Sequence, residues 1–349
     1  MSREYQRPLA TGGLRLHLNE NTGGCSPRVM EALRALTRED AAIYPDYERA
    51  IDAAAARFRV RADNVLLTNG LDEGILLAAV VSLRGSAPGD PLEALIVQPA
   101  FDMYAACADA VGGRIVDIPP LSEFFFSVQR IAEAVTPNTR IIFLANPNNP
   151  TGLSIHRDTV AAVARAAPQA LVFLDEAYAD FSGETMMPQA ASGEIPNLIV
   201  GRTFAKAYGL AGLRIGALVA TPEILMPMRR AIPPYSLNVF AAAALPVAVE
   251  DEEYYEWYLS EVRGSKKLLY DVLTRNAVRF WPSDGNFVLS CFGEQLGMVL
   301  EELAARGIMI RDRSGDPGCA GCARITAGVL EHTRRVAAVL EEVLCGARR

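Results

Sequence analysis

The chain has 349 residues, half of them hydrophobic and about a fifth charged, with a formal net charge of -7. That length suits one large core plus a smaller one, and an acidic, evenly mixed composition provides no basic footprint for nucleic acid. Arg229-Arg230 and Arg334-Arg335 are isolated pairs suited to solvated helix faces, and no apolar run reaches the length of a bilayer span.

The N-terminal stretch MSREYQRPLATGGLRLHL lacks the apolar core of a secretory signal, so a soluble cytoplasmic protein is expected. Six cysteines (Cys25, Cys107, Cys291, Cys319, Cys322, Cys345) in a chain of this length do not make a disulfide framework. Cys319 and Cys322 form one CxxC. No second CxxC or HxxxH lies nearby, and His17, His156 and His332 are scattered, so no metal site is expected.

From about residue 50 to 220, apolar strand-like runs alternate with helical patterns. In order they are VLLTNG (65–70), ALIVQP (94–99), RIVDIP (114–119), RIIFLANP (140–147), LVFLDEA (171–177), LIVGRTF (198–204) and RIGALVA (214–220). Continuous apolar strands separated by helices predict an α/β fold, with a mostly parallel seven-stranded sheet covered by helices on both faces. After residue 250 the pattern changes. A long amphipathic helix (252–276) precedes strand 286–292, helix 294–307, strands 308–313 and 323–328, and a final helix 330–346. These read as a smaller α+β unit. The chain then divides into an N-terminal arm with part of the small domain (1–40), a large domain (41–245) and a small C-terminal domain (246–349). No obvious linker separates them. Ligands of open α/β sheets bind beyond the carboxyl ends of the strands, and a second domain beside that edge makes a cleft.

Candidate functional residues fall at those strand ends. Gly70 turns the first strand into LDEGILLAAVVSL, whose unpaired N-terminal N–H groups suit a phosphate; an ordinary strand–helix turn with Asp72 and Glu73 complementing the dipole has the same pattern. Phe101, two residues after Pro99, suits stacking on a planar ring or a place in the core. In NPNNPTG (146–152), two Asn-Pro steps and a glycine force a tight extended loop, from which Asn149 can point its amide at a ligand. Asp175 ends a run of five apolar residues, where a carboxylate needs a cation or a strong donor; a helix cap or a salt bridge also meets that need. Lys206 stands just past the next strand, with Thr203 before it and Arg214 after a glycine-punctuated turn. Pyridoxal phosphate requires such a set: an amine for its Schiff base, a carboxylate that keeps its ring nitrogen protonated and a hydrogen bond to its ring oxygen. Lys206, Asp175 and Tyr178 match those three roles, and Arg214 and Thr203 offer a bidentate cation and a hydroxyl to its phosphate.

The motif series LNEN (18–21), YPD (44–46), NGLDEGI (69–75), PAFDMY (99–104), NPNNPTG (146–152), DEAY (175–178), TFAKAYGLAGLRIG (203–216), IRDR (310–313) and ARITAG (323–328) spans nearly the whole chain. It resembles the fold-type I pyridoxal phosphate enzymes, specifically the class I/II aminotransferases and, within them, the histidinol-phosphate aminotransferase branch. The resemblance implies an aspartate-aminotransferase-like fold and a transaminase. Such an enzyme moves an amino group between an amino acid, or an amino-alcohol phosphate such as histidinol phosphate, and a 2-oxo acid. By the same resemblance Lys206 carries the cofactor and moves the substrate Cα proton, and Asp175 pairs with the ring nitrogen. Tyr178 and Asn149 meet the ring oxygen and Phe101 stacks on the ring. The backbone at Leu71 and Asp72, with Thr203 and Arg214, holds the phosphate, joined by Tyr44 from the other subunit of a homodimer. Arg324 resembles the arginine for the substrate's carboxylate or phosphate, Arg311 resembles a second anion-binding residue, and Asn149 borders the substrate. The chain departs from the family at Ala205, where a serine is usual, and at Thr22-Gly23, where a proline and a bulky residue are usual. These departures imply one fewer phosphate hydroxyl and a more open pocket. A lyase of the threonine-phosphate decarboxylase type shares the scaffold and is the alternative.

Overall fold

The computed structural model describes residues 12–87 and 89–346, so residues 1–11 of the expected N-terminal arm lie outside the described residues. The strands are β1 (Leu14–Leu16), β2 (Val65–Thr68), β3 (Glu93–Val97), β4 (Arg114–Ile118), β5 (Thr139–Ala145), β6 (Leu171–Asp175), β7 (Leu198–Thr203), β8 (Gly216–Val219), β9 (Arg279–Trp281), β10 (Phe287–Cys291), β11 (Ile308–Asp312) and β12 (Cys322–Thr326). All seven runs expected between residues 65 and 220 join one sheet, in the order β2-β8-β7-β6-β5-β3-β4. Its pairs are parallel except for β8, which runs antiparallel to both β2 and β7.

The inner strands are apolar along most of their length because both faces are covered, with polar residues at their ends and on the edge strand β4. Ile142, Leu144, Val172, Leu174 and Val200 point into one core, filled from the helices Glu48–Phe58, Arg157–Ala166 and Val239–Glu250. Ile141, Phe143, Phe173 and Ile199, the alternate positions, point into a second core with the helices Leu71–Leu83, Asp102–Ala110 and Pro222–Ala231. The period of two sends successive side chains to opposite faces, and each fully buried Ile, Leu or Phe contributes about 1.5–3 kcal/mol. Sliding any central strand by one residue exchanges the two sets of side chains, so the packing defines the register.

The small sheet has the order β1-β11-β12-β10-β9 and a core of its own, with Val288, Ile310 and Ile325 beneath the helix Leu330–Gly346. Two of its strands lie outside the sequence-based expectation. β1 and β9 have only three residues each, too few for a periodic signal, and β1 is held by parallel pairing with β11 from the far end of the chain. That pairing draws His17, Leu18 and Asn19 toward the large sheet. The helix Val239–Glu250 runs across residue 245, and in the helix Glu252–Arg275 Tyr255 and Leu259 pack on the large core while Val262 and Leu269 pack on the small one. The chain thus passes between its cores inside a continuous helix, which explains why its composition shows no linker. Among the described residues no helix is long and apolar enough to cross a membrane.

Candidate active site

The sheet order builds the site. β3, β5, β6 and β7 are parallel and adjacent, so their carboxyl ends open on one edge and deliver Phe101, Asn149, Asp175 and Lys206 side by side. Because β8 is antiparallel, its start lies at that same edge, which sets Arg214 against Leu71 and Asp72 at the head of the helix Leu71–Leu83. One cleft is lined by all of these together with Tyr178 and Thr203, the concave setting in which small-molecule sites occur. Arg311, Arg313 and Arg324 close it from the small sheet. Of the candidate site residues only Tyr44 stands elsewhere. It is 74% exposed and stacks on Tyr235 with ring centroids 4.0 Å apart.

At the cleft floor, Asp175 Oδ2 accepts a hydrogen bond from the Tyr104 hydroxyl (2.7 Å) and Oδ1 accepts from the Ala177 N–H (2.9 Å). Burial nevertheless pushes the carboxyl up to about 6. Desolvation outweighs the donors here, and a cation in the cleft would reverse that balance. Lys206 Nζ donates to the Leu18 carbonyl at 2.9 Å and lies 5.7 Å from the centre of the Tyr178 ring. The Tyr178 hydroxyl accepts from Asn19 Nδ2 (3.0 Å). Asn19 is fully buried and left-handed (φ 54°), and Thr326 and Asn286 hold it. Glu176, the next residue in the DEAY motif, faces away into a buried network with Arg202 and Asp180.

The opposite end of the cleft depends on close backbone approach. Gly70 has φ 75°, and a Cβ there would sit 2.5 Å from Arg214 Nη2; a Cβ on Gly216 would sit 2.7 Å from the Leu71 nitrogen. Arg214 itself is left-handed (φ 56°), a conformation that costs a non-glycine residue and marks over-determined sites. Its Nη2 donates to Asp72 Oδ2 at 2.7 Å. Thr203 Oγ1 accepts from the Ala205 N–H (3.2 Å).

Arg311 and Arg324 face each other in register across β11 and β12. Arg324 is buried; it donates to Asn149 Oδ1 and, at 2.7 Å, to the His17 carbonyl, and its Nε has no partner. Burial, reinforced by Arg313 and Arg311, lowers its guanidinium to about 10. The CxxC lies apart from the cleft, where Cys319 and Cys322 pack with Trp281 and Leu289, and burial raises the Cys319 thiol to about 12.

Sequence reasoning gave no role to His17, nor to Leu18, Asn19, Asp102, Tyr104 and Arg313, which it quoted only as parts of motifs; all of them line or buttress the cleft. Tyr104 meets an aspartate 71 positions away, and no spacing rule anticipates that. Arg313 was legible: two residues past Arg311 in an extended run, it projects from the same side of the chain.

A sheet edge that gathers an amine, a buried carboxylate and a set of arginines suits a pyridoxal-phosphate-dependent transaminase of the aspartate-aminotransferase-like fold. The match to aminotransferase class I and II over residues 11–340 agrees, and the chain belongs to that family. Among its relatives, the histidinol-phosphate aminotransferase of Symbiobacterium thermophilum is 35% identical over 345 residues, covering 98% of this chain and 93% of that one. Histidinol-phosphate aminotransferase 2 of Carboxydothermus hydrogenoformans is 33% identical, with 98% and 94% covered. The crystal structure of histidinol-phosphate aminotransferase from Sinorhizobium meliloti in complex with pyridoxal-5'-phosphate superposes with a TM-score of 0.86 at 25% identity, covering 96% of this chain and 91% of that one. Aspartate aminotransferase from Thermus thermophilus with maleate shares the fold, at a TM-score of 0.77 and 22% identity over 95% of this chain and 91% of that one.

Proposed function

We propose that this cleft transfers an amino group between a phosphorylated amino alcohol of the histidinol phosphate type and a 2-oxo acid. The observation that carries this reading is Arg324: a buried guanidinium with an unfilled donor, on the same cleft as Lys206 and beside Arg311. Such a group is costly unless an anion completes it.

The residues fit pyridoxal phosphate, since a buried carboxyl held up at about 6 is matched to a cationic ring nitrogen. On this reading Lys206 bonds the cofactor, Asp175 meets its ring nitrogen, Tyr178 and Asn149 meet its ring oxygen, and Phe101 stacks on the ring. Leu71, Asp72, Thr203 and Arg214 hold its phosphate. Because Asn149 Oδ1 already accepts from Arg324, its NH2 is the end left to donate. When bound, the cofactor supplies an electron sink for the substrate's Cα–H bond. Lys206 Nζ, released when the substrate's amine takes its place, would take the Cα proton and return it, and the Leu18 carbonyl, its acceptor here, would orient that nitrogen. Arg324 and Arg311 bind the substrate's anionic groups. With histidinol phosphate as donor, we expect glutamate to form from 2-oxoglutarate, measured by chromatography, while unphosphorylated histidinol reacts about 100-fold less efficiently for want of charge-assisted hydrogen bonds. Equal rates for the two donors would sink the substrate assignment, and release of CO2 from an amino acid phosphate would favour the lyase.

We also propose a homodimer in which Tyr44 reaches the partner's cleft, a cytoplasmic location, and a division into residues 1–40, 41–245 and 246–349. In support of the dimer, Tyr44 stands with Ile43 (67% exposed) and Tyr235 (53% exposed) in an outward-facing apolar cluster, unusual for a solvated surface. Sedimentation at micromolar concentration is expected to give twice the mass of the chain; a single-chain mass would refute the shared site.

A further inference from the structure

We infer that Arg313 is a specificity-determining residue that favours substrates carrying a dianionic group, such as a phosphate monoester, remote from the reacting amine. This rests on the reading of the cleft given above.

Arg313 follows β11 directly, is only 7% exposed, and still lines the cleft. Its three donor positions are unequally used. Nη2 is committed to Asp316 at 2.5 Å. Nη1 faces Asp102 Oδ2 at 3.8 Å, beyond hydrogen-bond range, and Nε has no partner. Asp102 is a loose counter-ion, 48% exposed at the head of the helix Asp102–Ala110 and itself on the cleft wall. A guanidinium this deeply buried with donors unfilled on the cleft wall is open to an acceptor that enters the cleft.

Charge bookkeeping sets the class of ligand. Arg311, Arg313 and Arg324 share one wall, and Arg324 is lowered by burial and by its two neighbours. His17, on the same wall, is lowered by burial and by Arg15, Arg311 and Arg324, so its ring adds no charge near neutrality. Elsewhere in the cleft Arg214 is paired with Asp72 and the Lys206 charge faces Asp175. Asp316 offsets one of the three arginines and the loosely held Asp102 a second, so one positive charge remains while Asp102 stays in place. A monocarboxylate cancels that one. A phosphate monoester cancels two once it displaces Asp102 from Nη1, and it has oxygens enough for more than one guanidinium.

The test uses the holoenzyme, with inorganic phosphate and acetate as competitive inhibitors against the amino donor. In Arg313→Gln we expect the phosphate inhibition constant to rise by about 10- to 100-fold, the worth of a charge-assisted hydrogen bond or two, while the acetate constant moves by less than about twofold. Arg313→Lys, which keeps the charge but not the fork, recovers part of the loss. For a phosphorylated donor the change falls on KM rather than kcat. Asp102→Asn strengthens phosphate inhibition, and that gain vanishes in the double variant because it acts through Arg313. Equal shifts for phosphate and acetate, no shift for phosphate, or an Asp102→Asn gain that persists without Arg313 would each overturn the inference. If Arg313→Gln does not fold, Asp102→Asn decides alone, and an unchanged phosphate constant there also overturns it. Calorimetric titration of phosphate into the same holoproteins reads Arg313 without turnover. An enzyme that transaminates nothing yet binds phosphate through Arg313 therefore refutes the functional reading and not this one.

Discussion

Lys206→Ala is expected to lower transamination by at least about 10⁴-fold while leaving the fold intact. The side chain lies three residues beyond β7, is only partly buried, and makes one hydrogen bond, so its removal opens no core cavity. What it removes is the amine in the cleft. The chain has three lysines, and of these Lys266 donates to the Ser283 carbonyl and Lys267 lies with it on the helix Glu252–Arg275, so only Lys206 faces the reacting groups. A positioned acid–base group contributes about 10²–10⁴-fold and a covalent nucleophile adds to that. Activity alone cannot locate the bond, so the companion measurement is borohydride reduction followed by peptide mass analysis. The wild-type protein should carry a phosphopyridoxyl group on the peptide containing Lys206, and the variant should carry none. A variant that turns over at the wild-type rate, or a label on another lysine, would defeat the assignment.

Asp175→Asn should cost about 10²–10⁴-fold in kcat/KM, corresponding to the roughly 3–5 kcal/mol lost when one member of a buried ion pair is removed. The amide keeps an oxygen for the Tyr104 hydroxyl, so the geometry survives while the charge does not. The sign of the pH effect follows from burial. With Lys206 as its nearest cation, the Asp175 carboxyl is held up at about 6 by burial. Above that pH it is ionised and attracts a cationic ring nitrogen; as pH falls through 6 it takes a proton and the attraction disappears. Cofactor affinity of the wild-type apoprotein should therefore fall below pH 6 more steeply than that of Asp175→Asn, the cofactor's own phosphate titrating equally with both. Parallel curves for the two proteins would show that Asp175 does not meet the cofactor.

Much of the site was legible because buried parallel strands announce their ends. A run such as ALVFL closing on Asp175 makes a charged residue at the sheet edge conspicuous, and the same holds for Lys206 after LIVGRTF. Their nearness was less evident. They stand 31 positions apart in sequence and become neighbours because β6 and β7 pair in parallel with Asp175 opposite Gly201. Arg214 needed more still, since only the reversed direction of β8 puts its start at the cleft edge. The short strands β1 and β9 gave no periodic signal, so nothing tied Leu18 and Asn19, present only as part of LNEN, to Lys206 and Tyr178, which they orient.

The amino acid sequence by itself determined the class of fold, the strands that carry the chemistry and most of the side chains at their ends, because hydrophobic periodicity and turn residues act over a few neighbouring positions. Tertiary structure alone decided which polar groups are paired and which are left open: Tyr104 on Asp175, Asn149 turned by Arg324, Asp316 holding one edge of Arg313. Those pairings join segments brought together by strand order, and burial then sets the strength of their charges, a property of the folded surroundings that no local stretch of chain encodes.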